Sequence, residues 1–390
     1  MGKKQRRMHR LKAMMSGSMI LVVTFTLLIN LAWPDRGVSE LENRGLAKLP
    51  AWNISSFLSG KTSVDLERWF ADQFVGRDFF LHLNYCLKKL NGIREIQNVY
   101  LGSGQLLQNP SEPDEELIQS QMKSIQDFSS RYQIPSYVLI APTAAAVQKS
   151  RLPMFAQTVD QQQIISGLYS TLDGELVKGV DASSALGSMA DDYIYYKSDH
   201  HWTSLGAYAG FSQLMKTKGE EPPALTDYKQ MLVSNDFKGT LAGKTGSVLI
   251  EDDINIYGKE DLPDYVVSYS DSKKKTTSIY DLKALDQRNQ YEVFLGGNES
   301  LIQIEMDNDS DKNLLLFKDS YANSMIQFLL PYYRTITIVD PRYFYDDIDR
   351  IIKNNKINEI AYVYNYETFN TDTGLNSVLQ LDAQPLEEQS

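Results

Sequence analysis

Asn313-Leu314-Leu315-Leu316-Phe317-Lys318-Asp319-Ser320-Tyr321 is the stretch on which the fold turns. The apolar run from Leu314 to Phe317 is too short for a helix and reads as a buried strand. Lys318-Asp319-Ser320 breaks the run with a sharp turn, and Ala322 to Leu330 has the composition of a helix that opens at Ser320. A serine in that position holds its hydroxyl at the positive end of a helix, beside backbone N–H groups free to bind an oxyanion. Taken alone, Asp319 or Ser320 reads first as a plain helix N-cap.

Working outward, the same alternation recurs on both sides. Upstream lie a helix over Asp114 to Tyr132, a strand from Tyr137 to Ala141 closed by Pro142, a helix over Asp160 to Leu172 and a strand over Leu176 to Asp181. Downstream lie a strand Thr335 to Val339, a helix Tyr345 to Asn354 and a strand Glu359 to Tyr364. Such alternation predicts an α/β domain over 113–385, with a mainly parallel sheet between two helical layers. Ligands in such domains gather at the carboxyl ends of the strands, and Ser320 follows one of these ends. Residues 217–290 interrupt the pattern with Pro222-Pro223 and the polar turn Ser270 to Thr277, which predicts an inserted, β-containing lobe with at least one hairpin. Residues 386–390 are left as a tail.

Ahead of this domain the composition changes. Residues 1–12 hold Lys3, Lys4, Arg6, Arg7, Arg10 and Lys12 and no acid, and residues 13–34 are free of charge. Twenty-two uncharged, mostly apolar positions suffice to span a hydrocarbon core, and the basic flank predicts a cytoplasmic N-terminus with the remainder outside the cell membrane. A cleaved signal peptide is disfavoured by the lack of a small-x-small site and by Pro34. Residues 35–112 read as a stalk and packing region. It contains one or two amphipathic helices over Ser63 to Leu90, with Trp69, Phe70, Phe74, Phe79, Phe80 and Leu83 as the buried set, and two short strands about the glycine turn of Val99 to Leu107.

Composition excludes several classes of function. Outside the first twelve residues, 33 basic residues face 50 acids, a balance of −17 that argues against a general nucleic-acid surface. The single cysteine, Cys86, excludes a disulfide framework or a cysteine-rich metal site. We read no cofactor.

Two of the four histidines stand together in Asp199-His200-His201-Trp202-Thr203. In an extended segment Asp199 and His201 would project to one side and His200 to the other. Asp199 would then fix the tautomer of His201 and leave its other ring nitrogen free to take a proton, while Thr203 or Ser204 caps a following helix. A metal site is disfavoured, because adjacent histidines of a strand diverge and no third histidine is near. With Ser320 as partner, the reading is a Ser-His-Asp site.

These residues carry a family resemblance. Tyr195-Tyr196-Lys197-Ser198-Asp199-His200-His201-Trp202-Thr203, followed by Phe317-Lys318-Asp319-Ser320-Tyr321-Ala322-Asn323-Ser324, resembles the DHHW family of bacterial envelope proteins. That family is similar to the SGNH-hydrolase-like domains of the alginate O-acetylation proteins AlgJ and AlgX. The resemblance extends to Leu41-Glu42-Asn43-Arg44 and to the Gly296-Gly297-Asn298 turn. It implies a three-layer α/β/α fold and a serine acyl-enzyme mechanism on Asp199, His201 and Ser320, in a motif order permuted relative to ordinary SGNH hydrolases. Lys318 stands where those enzymes carry glycine, which puts the geometry of the serine turn in question.

For oxyanion donors the backbone N–H of Ser320 is the first candidate. Asn298 is the second, at the end of an expected strand Tyr291 to Leu295, although Gly-Gly-Asn also fits a plain turn. Tyr321 and Asn323 are candidate contacts for the acyl group or the acceptor. The resemblance implies an O-acetyltransferase that moves acetyl through an acetyl-serine onto a polysaccharide hydroxyl, supplied by a membrane-bound O-acyltransferase partner. The alternatives are a carbohydrate esterase with the same triad and a non-catalytic polysaccharide-binding or assembly protein.

Overall fold

The computed structural model describes residues 3–39, 44–51 and 53–381; Leu41-Glu42-Asn43 and the 386–390 tail lie outside them. The chain divides into two compact units, residues 1–87 and 88–390. This boundary falls earlier than the expected one at 112, because the glycine-turn strands Val99–Leu101 and Leu106–Gln108 bond into the larger unit. There the Leu106 N–H donates to the Lys197 carbonyl at 2.8 Å, and the Ser103 N–H to the Arg151 carbonyl at 2.8 Å.

The smaller unit opens with the helix Lys3–Ala32, whose stretch Arg7–Ala32 is long and apolar enough to cross a membrane. Helices Lys61–Gln73 and Arg77–Leu90 follow, the second running past the unit boundary. Of the expected buried set, Trp69 is buried, and Phe70 and Phe74 are half-buried. Phe79, Phe80 and Leu83 are instead 63%, 50% and 39% exposed. Helical periodicity reveals an apolar face but not what covers it.

In the larger unit eight strands form one sheet. They are β1 (Ser136–Ala141), β2 (Val177–Gly179), β3 (Tyr265–Tyr269), β4 (Lys275–Thr276), β5 (Leu301–Met306), β6 (Asn313–Lys318), β7 (Thr335–Val339) and β8 (Glu359–Asn365). Their order is β4-β3-β5-β7-β6-β8-β1-β2. The five strands β7, β6, β8, β1 and β2 are parallel, as the alternation predicts, and β5, β3 and β4 extend the sheet antiparallel. The expected inserted lobe is therefore only partly a lobe. Its β3–β4 hairpin joins the central sheet, and a separate hairpin of Lys229–Phe237 and Asp252–Gly258 remains outside it.

The pleat of β6 sorts the core into two layers. Leu314 and Leu316 pack with Phe211 and Leu214 of α3 (Ser204–Lys218) on one face. Leu315 and Phe317 pack on the other with Phe128 of α1 (Glu115–Tyr132) and Leu168 of α2 (Gln161–Tyr169). All four β6 residues are fully buried, as a run apolar on both faces requires. The result is the expected three-layer α/β/α arrangement. Two local readings change: Tyr291 to Leu295 is not a strand but contains the 3₁₀ turn Gln290–Val293, and the helix opening at Ser320 begins as a 3₁₀ turn, Ser320–Ser324.

Candidate active site

The carboxyl rim of the parallel strands gathers the motifs. Ser320 follows β6, Asp340 follows β7, and Asn365 ends β8. Asp319 shapes the serine turn: its buried carboxylate accepts the N–H of Tyr321 at 2.9 Å and of Asn365 at 2.9 Å, tying the turn to the neighbouring strand. Ser320 itself stays partly exposed.

Asp199, His200 and His201 lie in the bend of a tight hairpin closed by a bridge between Tyr195 and Trp202. The Tyr195 hydroxyl donates to the Pro142 carbonyl at 2.7 Å, fixing the hairpin to the end of β1. Thr203 caps α3, accepting the Gly206 N–H at 3.4 Å. Because the segment bends, the expected divergence of the two histidines fails, and their ring centroids stand 3.9 Å apart.

The structure brings Asp199, His201 and Ser320 together. His201 Nδ1 lies 2.5 Å from Asp199 Oδ1, and His201 Nε2 lies 2.7 Å from Ser320 Oγ. With the Nδ1 proton given to the carboxylate, Nε2 is the acceptor for the serine proton. Tyr291 stacks flat on the His201 ring at 3.8 Å and 12°, which holds the plane of the imidazole. The second carboxylate oxygen of Asp199 accepts from the Thr240 N–H at 2.7 Å and the Thr240 hydroxyl at 2.9 Å. Burial opposes ionisation of Asp199, but the two imidazoles and the Thr240 donors outweigh it and hold the carboxyl well below the usual carboxylate range. Burial, with His201 beside it, pushes His200 down to about 3, against the pull of Asp199. His200 Nδ1 lies 2.8 Å from the Thr240 hydroxyl.

Asp199, His200 and His201 also place one possible ligand atom each within 4.8 Å of one another. Both ring nitrogens of His201 and both oxygens of Asp199 are already engaged in the contacts above.

Two further candidates take different parts from those expected. Tyr321 is buried, and its hydroxyl donates to the His200 carbonyl at 2.5 Å while its own carbonyl accepts the Trp202 indole N–H at 2.8 Å. It fastens the histidine hairpin to the serine turn. Asn323 is buried too, and its amide donates to Asn298 Oδ1 at 3.3 Å. Asn298 is exposed, in a turn where Leu295, Gly296 and Gly297 all have positive φ. Glycine at 296 and 297 meets that demand without the strain a side chain would bring.

Sequence reasoning missed several supports. Asp252 accepts from the N–H groups of Lys197 and Ser198, both at 2.7 Å, and from the Ser198 and Tyr193 hydroxyls, both at 2.5 Å, clamping the residues before Asp199. Thr240 lies 41 residues beyond Asp199 and Asp252 lies 54 beyond Ser198, in a region with no distinctive pattern, and nothing in that sequence marks them. Lys318 was marked only as a departure from glycine. It is fully buried, donating to Asn298 Oδ1 at 2.9 Å and pairing with Asp340 at 3.2 Å, while Arg342 pairs with the same carboxylate at 2.6 Å. Burial lowers the Lys318 pKa and Asp340 opposes that shift.

A family model described as DHHW protein matches residues 131–339. Among solved structures, a DHHW family protein from Eubacterium siraeum is 22% identical, with a TM-score of 0.61, over 72% of this chain and 98% of that one. Bacillus cereus PatB1, solved with a sulfonyl adduct, is 21% identical, with a TM-score of 0.60, over 72% of this chain and 99% of that one. The O-acetyltransferase domain of Pseudomonas putida AlgJ is more distant, at 13% identity and a TM-score of 0.45 over 73% of this chain and 99% of that one. No curated protein matches the sequence.

Proposed function

The chain belongs to the DHHW family, and from that premise we propose that it is a membrane-anchored, extracytoplasmic O-acetyltransferase that acetylates a cell-envelope or exopolysaccharide through an acetyl-serine. The observation that carries this reading is the relay from Asp199 through His201 to the partly exposed Ser320, with separations of 2.5 and 2.7 Å. A buried serine hydroxyl used as an N-cap needs no imidazole at hydrogen-bond distance.

In the first half-reaction His201 Nε2 takes the Ser320 proton as Oγ attacks the acetyl carbonyl. The leaving group departs with that proton, and acetyl remains on Oγ. In the second, a sugar hydroxyl gives its proton to His201 and attacks the acetyl carbon, and Ser320 Oγ leaves and recovers the proton. The Ser320 N–H and the Asn298 side-chain amide are the proposed oxyanion donors. The Asn298 oxygen is held by the Lys318 ammonium, which can only donate, so its NH₂ group is the end left to meet an oxyanion. A sulfonyl adduct on the B. cereus relative is what an activated hydroxyl nucleophile forms with a sulfonylating reagent.

For the acceptor, a groove of about 370 Å³ opens from the same rim. Tyr345 is 89% exposed there, an aromatic face suited to stacking on a sugar ring. The basic N-terminal tail and the apolar helix support a cytoplasmic N-terminus and a single-pass anchor, which would keep the domain beside a membrane-bound O-acyltransferase as acetyl donor.

The test is the intact mass of the full chain in detergent after brief exposure to 4-nitrophenyl acetate, for wild type and Ser320→Ala, with and without cell-wall oligosaccharides. A one-acetyl adduct absent from Ser320→Ala and discharged onto sugar supports transfer. Discharge to water alone makes the chain an esterase, and no adduct on the wild type overturns the triad.

A further inference from the structure

The apolar residues that the sequence led us to expect in a core, Phe79 and Phe80, are at the surface, and the place where they surface is defined. The N–H of Val75 donates to Asn30 Oδ1 at 2.8 Å, and Asn30 lies inside the uncharged 13–34 run, four residues before Pro34. The Asn30 amide is itself aimed by a 2.7 Å bond to the Thr26 carbonyl. At 1.5 Å per residue, Val75 is anchored roughly 3 Å below the outer end of the apolar helix at Ala32. Three more contacts hold the same junction: the Trp69 indole donates to Asp35 at 2.8 Å, the Arg36 N–H to Gln73 at 2.8 Å, and the Arg36 guanidinium to Asp78 at 2.9 Å.

Around that anchored point runs a ladder of aromatic rings, Phe70–Phe74 at 5.8 Å, Phe74–Phe80 at 5.6 Å and Phe80–Phe79 at 5.5 Å, each edge to face. On the helix that starts at Arg77, Phe79, Phe80, Leu83 and Leu87 follow one another at the spacing of a single stripe, and all four are exposed. A helix of this amphipathic kind lies in the plane of a membrane with its apolar face about 5–10 Å into the headgroup boundary. The Asn30–Val75 bond sets the start of this helix beside the outer end of the apolar one.

We propose that the Phe79–Leu87 face is a lipid-binding surface, seated in the outer leaflet beside the spanning helix. The proposal rests on the anchor reading above. It commits to lipid rather than a protein partner because the face is continuous, through the Asn30–Val75 bond, with a segment that lipid already surrounds. The outer part of this unit is then held to the bilayer by two elements at a fixed angle, a spanning helix and a helix lying flat, instead of by a single swivel.

The test uses the full chain in vesicles of phosphatidylcholine and phosphatidylglycerol, in a Cys86→Ser background, with an environment-sensitive fluorophore on Phe80→Cys, Leu28→Cys or Leu249→Cys. Nitroxide lipids report depth, and aqueous iodide reports exposure. Phe80→Cys should be quenched by shallow nitroxides and shielded from iodide. Leu28→Cys should be quenched by deep nitroxides, and Leu249→Cys, 73% exposed in the native chain, by iodide alone. A water-exposed Phe80→Cys with a deep Leu28→Cys overturns the lipid-binding face and leaves the anchor intact. A Leu28→Cys that escapes deep nitroxides overturns the anchor itself. Shielding of Phe80→Cys from iodide without nitroxide quenching assigns the face to protein and also overturns the proposal.

Discussion

Gly239 lies against Asp199 so closely that a Cβ at Gly239 would stand 2.2 Å from the aspartate Cβ. Its neighbour Thr240 holds the same carboxylate through two hydrogen bonds, so the strand-to-helix turn at 239–240 is the mould in which the histidine's orienting group is set. Gly239→Ala must displace backbone or carboxylate, and displacements of about 1 Å in a catalytic array cost on the order of 10²-fold in rate. Acetyl-transfer rates should fall by that order in Gly239→Ala. Thr240→Val, which keeps the N–H but loses the hydroxyl's hydrogen bonds to the Asp199 carboxylate and to His200 Nδ1, should cost about 2–4.5 kcal/mol.

Replacing Asp199 by Asn leaves the shape of the site but removes the charge that stabilises protonated His201. Acyl-serine formation should slow by roughly 10²–10⁴-fold, and Ser320→Ala should abolish the adduct altogether. Stopped-flow release of 4-nitrophenol measures the first, and intact mass the second.

Lys318 and Asp340 are both fully buried, and Arg342 shares the carboxylate. Removing one partner of such a pair typically costs about 3–5 kcal/mol, and Arg342 should hold Lys318→Met to the lower end of that range. Chemical denaturation of the larger unit reads that loss. Transfer should fall further than stability requires, because Asn298 loses the donor that orients its amide.

In the smaller unit, hydrogen bonding from Arg44, opposed by burial and helped by the Ala47 N–H, holds Asp72 at about 2. A carboxylate depressed in the folded state contributes stability that is fully present above its unfolded value, near 4, and is lost as pH falls toward the folded value. The protection of the Ala47 amide against hydrogen exchange, referred to its intrinsic rate, should therefore be constant above about pH 5 and decline between roughly pH 4 and 2. In Asp72→Asn the decline should vanish.

Tyr321→Phe removes a single hydrogen bond to the His200 carbonyl, worth about 0.5–1.5 kcal/mol. The thermal midpoint should drop slightly and kcat more clearly, with KM unchanged, since the hydroxyl touches the hairpin and not the substrate.

Much of the scaffold was readable because each parallel strand announces itself as a short apolar run, of which Leu314 to Phe317 is the plainest. The antiparallel extension was not. Val266 and Glu305 of β3 and β5 alternate with buried neighbours, and an edge hairpin inside an insertion that opens with Pro222-Pro223 and carries a polar turn looks like any surface lobe. The Asp-His-His-Trp and Lys-Asp-Ser-Tyr stretches pointed to the residues that meet, because an imidazole base and a hydroxyl at a strand end have few other partners in a chain with four histidines. What could not be read was the bending of Asp199 to His201, the clamps of Thr240 and Asp252, and the burial of Tyr321. Each depends on segments distant in sequence, and period-two or period-3.6 patterns carry no such information. Phe79 and Phe80 show the same limit on the smaller unit.

Trp202 gives a hydrogen bond to the segment of Tyr321, and Tyr321 returns one to the segment of His200. His201 and Ser320 are thereby brought in as one block, with no joint between them that needs to close. An acyl group on Ser320 would have only the open side of that block from which to be collected. On the acyl-transfer reading proposed above, whether sugar or water takes it is a matter of which molecule occupies that opening, and the place to change the outcome is the rim of the sheet rather than the relay beneath it.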